Sequence, residues 1–71
     1  MINQERYQKV LKEYMQDPVF TVERLRSIIA SKDTMLGRAN DDVRVNIETD
    51  IMAATKALEL KEKGQQNENG L

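Results

Sequence analysis

Apolar residues along this chain recur at spacings of three and four, and strand-type alternation is weak throughout, so the pattern predicts an all-α protein. In the first segment Tyr7, Val10, Leu11 and Tyr14 share one helical face, while Glu5, Lys9 and Glu13 stand at the i,i+4 spacing of an exposed one. Pro18 disfavours a helical Asp17 and cannot donate to the preceding turn, which ends the first helix near Gln16. Thr21 is a capping residue, Glu23 suits the positive end of a helix, and Phe20 can staple onto Leu25. The second helix then presents Val22, Leu25, Ile28, Ile29, Met35 and Leu36 on a broad face. The short connector predicts that the first two helices are antiparallel neighbours. Expected helices cover about 3–16, 21–36 and 41–63.

The stretch "LGRANDDV" decides how the second and third helices join. Gly37 stands where a helix-terminating glycine belongs, in the left-handed conformation that costs it nothing sterically. Asn40 is a good N-cap, followed by Asp41 and Asp42 in the next first turn. Against a break, Leu36, Ala39, Val43 and Ile47 keep helical spacing across the junction, and a glycine within a helix costs only about 1 kcal/mol. The local signals predict a break or sharp kink.

In the last helix Val43, Ile47, Ile51, Ala54 and Leu58 fall within one narrow wedge, the expected core face. Val45, Met52, Ala53 and Leu60 fall on roughly the opposite side, with Arg44, Glu48, Thr55, Glu59 and Glu62 as a polar flank. Two apolar stripes exceed what one neighbour within the chain can cover. The second stripe (Val45, Met52, Ala53, Leu60) is therefore the expected oligomer or partner interface. Residues 1–63 make one small helical domain, and the polar tail over 64–71 is expected to be disordered.

Size strengthens the expectation of self-association. At 71 residues, folding buries only roughly 60% of the surface of the unfolded chain, so a lone core is marginal. Such chains usually need a disulfide, a metal or a partner. There is no Cys and no His, which removes disulfides, thiolate sites, the commonest metal ligand and the usual general base. Eleven Lys and Arg balance twelve Asp and Glu, and no stretch carries the basic excess that phosphate binding requires. The expectation is a protein without nucleic acid or cofactor. No segment reads as a signal peptide or a membrane span, which makes a cytoplasmic location the default.

Candidate chemistry is sparse. Asp41 and Asp42 can serve the helix dipole without any metal, and Glu48 and Asp50 point different ways from one helix. Tyr7 and Tyr14, seven apart, suit either amphipathic packing or stacking on a ring. Met15, Met35 and Met52 suit gap filling or an adaptable binding surface. No phosphate loop, nucleophile elbow or zinc spacing is present.

The segment "GRANDDVRVNIETDIMAATKALE" resembles the second half of the helical hairpin of phage anti-defence sponges, which sequester cyclic-oligonucleotide or ADP-ribose-type immune signals. The resemblance rests on Arg38, Glu48, Met52, Ala54 and the run Lys56 to Glu59, about a third of the chain. Ala53 stands where that family tends to carry Trp, and Asp42 where it tends to be apolar. The resemblance implies an anion-binding role for Arg38, to which Tyr7 and Tyr14 could add aromatic walls. Two functions are thus open: a non-catalytic helical oligomer that docks on another protein and regulates or inhibits it, and a sponge for a small anionic nucleotide.

Overall fold

A computed structural model describes residues 2–70, with side chains over 2–64. The protein is a small all-α fold of three helices: α1 (Gln4–Gln16), α2 (Val22–Leu36) and α3 (Asp41–Gly70). α3 runs past the expected end near Lys63, to Gly70; of the tail expected to be disordered over 64–71, the side chains of 65–70 and all of Leu71 lie outside the described residues.

Each helix start is capped, α2 and α3 by the expected Thr21 and Asn40 and α1 by Asn3, which the sequence reading did not single out. The side-chain oxygens of Asn3, Thr21 and Asn40 accept from the backbone N–H groups of Arg6, Arg24 and Val43, satisfying donors that have no partner within the helix. α1 stops at an extended Asp17 before Pro18, and the Asp17 carboxylate accepts from the Val19 N–H to shape the turn.

The chain does break at "LGRANDDV", but not by the expected device. Gly37 has φ −65° and ψ −17°, a right-handed conformation open to any residue, and no described residue has positive φ. The Arg38 N–H donates to the Met35 carbonyl and the Ala39 N–H to the Leu36 carbonyl, so α2 tightens into its last turn instead of reversing hand. The Asn40 cap, rather than glycine freedom, defines the junction.

The packing also departs from a simple antiparallel pair. α1 and α2 each lie along α3 and run antiparallel to one another, but among the described residues their backbones stay apart, and the two helices meet through side chains of a shared core that includes Tyr14 and Leu25. Asn3 meets Thr49 while Lys61 donates to the Phe20 carbonyl, so α1 runs parallel to α3. Lys32 meets Asp50 and Arg26 meets Glu62, so α2 runs back antiparallel. α3 is the central post.

That arrangement turns α3 away from its expected core face. Its buried positions are Ile47, Thr49, Asp50, Ala53, Ala54 and Ala57. At 100° per residue their arc centres on Ala57, roughly 80° from the centre of the Val43–Ile47–Ile51–Ala54–Leu58 wedge. Ala53, expected on the outward stripe, is fully buried, and Val43, expected inside, is 46% exposed. Small alanine side chains let two helices approach the same post closely. Most of the larger residues come from the other elements: Tyr14 and Leu25 are buried, with Tyr7, Val10, Leu11, Phe20 and Ile29, and Leu58 of α3 itself, packed around them. Phe20 meets Tyr14 edge to face, with ring centroids 4.8 Å apart, and closes the end of the core where α1 hands over to α2.

Candidate interaction surfaces

The centre of the molecule is polar. Asp50 is only 5% exposed, yet it ties all three helices together. From α1, Arg6 approaches in a two-pronged geometry, Nε to Oδ1 at 2.8 Å and Nη2 to Oδ2 at 3.0 Å. From α2, Lys32 Nζ donates to Oδ2 at 3.2 Å. Burial alone would push the Asp50 carboxyl up, but the hydrogen bonds from Arg6 and Lys32 and their charges outweigh it and hold it below the ordinary value of 3.8. The hydrogen bond to Asp50 correspondingly raises the pKa of Arg6.

Immediately before Asp50 in α3, the fully buried Thr49 Oγ1 accepts from the Asn3 N–H at 3.0 Å and donates to the Val45 carbonyl at 2.7 Å. Asn3 thus caps α1 with its side chain while its backbone anchors that cap to α3. No buried side-chain nitrogen or oxygen among the described residues lacks a partner. This hub is saturated and offers no open valence to a ligand.

The open chemistry lies at the surface. A cleft of about 270 Å³ between α1 and α3 is lined by Tyr7, Ile51, Met52, Thr55, Lys56 and Glu59. A second, of about 330 Å³, sits at the α2–α3 corner, where Met35, Ala39, Val43 and Ile47 form an apolar floor with Arg38 and Asn40. Met52, Met35 and Val43 are each about half exposed (49%, 51% and 46%). A larger concavity along α2, about 570 Å³, is lined mainly by hydroxyl and charged side chains with Ile28, and gathers no convergent set of groups.

Of the expected interface stripe, Val45, Met52 and Leu60 face outward, whereas Ala53 packs in the core and cannot contribute. The three candidate ligand residues are not brought together. Tyr14 is a core residue whose phenol is raised in pKa, chiefly by burial. Tyr7 flanks the α1–α3 cleft, and Arg38 lines the corner cleft. Sequence reasoning missed the hub and the corner cleft. The signal for the hub is the spacing of Asp50 from Ala53, Ala54 and Ala57, at i+3, i+4 and i+7, which places a carboxylate on a face of small apolar residues.

No protein-family model, curated protein or solved structure matches the chain. Among the described residues no helix is long and apolar enough to cross a membrane, and no group of three or more His, Cys, Asp or Glu side chains gathers in a way that could hold a metal ion.

Proposed function

We propose that this chain is a small non-catalytic helical protein that self-associates and docks on another protein to regulate or inhibit it. The observation that carries the reading is the α1–α3 cleft: a half-exposed methionine, Met52, lining it together with Ile51 and Tyr7. Methionine suits such a role because its flexible, polarisable side chain adapts to varied apolar partners. Lys56 and Glu59 at the rim supply charges of both signs, which favour a protein surface over a purely apolar ligand.

Capture of partners from the native cell with wild-type protein and with Met52→Glu tests the reading. The expected result is a partner retained by the wild type and lost with Met52→Glu, whose helicity and melting stay close to wild type. A captured partner indifferent to Met52→Glu would remove the cleft from the reading.

A second reading, an anionic-nucleotide sponge, is favoured by one observation: Arg38 borders an apolar cleft and has no carboxylate within ion-pair distance among the described residues. It would have to draw on Arg38 without Tyr14. Thermal stabilisation by cyclic oligonucleotides or ADP-ribose compounds, abolished by Arg38→Ala, would select the sponge over the protein docker.

A further inference from the structure

α1 and α2 cover one side of α3 and leave a ridge bare on the other. Met52 stands on that ridge, roughly 140° around the helix from Ala57 at the centre of the buried arc. Val45 lies within about 20° of Met52, and both are exposed. The charges along the ridge follow an order about Met52. Glu48 stands four residues before it and Lys56 four after; Arg44 stands eight before and Glu59 seven after; Asp41 stands eleven before and Lys63 eleven after. At every step the two signs are opposite. None of the six is ion-paired within the chain among the described residues. All but Arg44 lie within about 40° of Met52, and Arg44 lies about 80° round, on the flank that also carries Glu59.

That antisymmetry selects the occupant of the ridge. Two such ridges laid parallel would set each charge against its like, which association disfavours. Turned antiparallel about Met52, the same charges meet as unlike couples: Glu48 with Lys56, Arg44 with Glu59, and Asp41 with Lys63, each made twice. Asp42, about 80° to the other side, falls near the same Lys63. The one like-charged couple at equal offset, Asp42 and Glu62, sits on opposite flanks roughly 160° apart, and Glu62 is already held by Arg26. An unrelated surface need not carry this succession of signs, whereas a second copy carries it by construction.

We propose that two copies of this chain pair through their α3 ridges, antiparallel about a two-fold axis at Met52. The inference rests on the proposed self-association and deepens it, by naming a second copy as what covers the α1–α3 cleft when no target protein does. Met52 packs on Met52, and Val45 of each copy falls over the cleft of the other, beside Tyr7 and Thr55. The contact uses the same surface twice, so it closes at two copies instead of propagating.

Charge reversal tests this directly, by light scattering after size exclusion over a range of concentrations, with helicity followed by circular dichroism. The wild type should reach the mass of two copies. Glu48→Lys sets lysine against Lys56 of the other copy, and Lys56→Glu sets glutamate against Glu48; each variant alone should pair about tenfold or more weakly. An equimolar mixture of the two should regain pairing, because every couple is then unlike, and so should the chain that carries both reversals. Val45→Glu brings a carboxylate over the partner's cleft beside Glu59 and should weaken pairing at unchanged helicity. A monomeric wild type at high concentration would overturn both this inference and the self-association reading, while leaving docking on another protein to the capture experiment. Oligomers larger than two copies, or pairing indifferent to the reversals or not restored by mixing, would overturn the two-fold contact and leave self-association through another face.

Discussion

Asp50→Ala is the sharpest probe of how the fold is held. The carboxylate accepts three hydrogen bonds from two cations on two helices, and its removal leaves both cations facing a small apolar gap. Removing one partner from a buried ion pair typically costs about 3–5 kcal/mol. Here the Arg6 side chain is 43% exposed and that of Lys32 27%, so both regain part of their hydration. Discounting for that leaves about 2–4 kcal/mol, and the better helix propensity of alanine offsets roughly 0.5 kcal/mol of it. A chain of this size has about 4–10 kcal/mol in total, so the substitution removes a large share. In a urea melt with a slope near 1 kcal/mol per M, the midpoint should fall by about 1.5–3.5 M. Arg6→Ala should cost less, because Lys32 stays on the carboxylate, and a double-mutant cycle between Arg6 and Asp50 should give a coupling of about 1 kcal/mol or more. A midpoint shift under about 0.5 M at unchanged slope, or no coupling, would refute the reasoning.

The same group sets the acid limit of stability. Because Asp50 is held below 3.8 in the folded state, the unfolded chain takes up its proton first as pH falls. The contribution of Asp50 is therefore full well above pH 3.8 and declines as pH drops through the folded value; Asp50→Asn should flatten that part of a stability–pH profile. At the α2–α3 junction, Asn40→Ala should cost about 1 kcal/mol through the lost cap. Gly37→Ala should instead be neutral or stabilising by up to about 1 kcal/mol, since its backbone is right-handed and an added Cβ would meet only the Thr34 carbonyl oxygen at 3.9 Å; a loss in a denaturant melt would contradict that geometry. Thr49→Val keeps the shape but strands the Asn3 N–H, and should cost about 1–3 kcal/mol, with hydrogen exchange fastest at the start of α1.

The three helices were legible because their boundaries are local chemistry. Pro18, Thr21 and Asn40 act on residues within one turn of themselves, and a sequence displays them side by side. The buried face of α3 was not legible in the same way. A hydropathy pattern weighs Ile51, Leu58 and Val43 above Ala53 and Ala57, and it places Asp50 and Thr49 outside. Their burial becomes tolerable only through Arg6, Lys32 and Asn3, which lie 44, 18 and 46 residues away. The site residues followed the same division. Met52, on an outward stripe, stayed outward, whereas the corner cleft exists only because two helices meet there, and no single-helix pattern encodes such a meeting.

α1 and α2 each set their backbone against α3 and not against one another, so the two arms differ in how much chain must close before each can form. The contact of Lys32 with Asp50 closes a stretch of 18 residues, and that of Asn3 with Thr49 closes one of 46. Chain-closure entropy makes the longer one about 0.8 kcal/mol harder to form if both stretches begin unstructured. The α2–α3 hairpin therefore assembles first and α1 zips on last. In the native protein the order should reverse: α1 should open first, giving up the Arg6 bonds to Asp50 and its share of the core, and its amides should exchange with solvent at a lower opening free energy than those of the hairpin beneath.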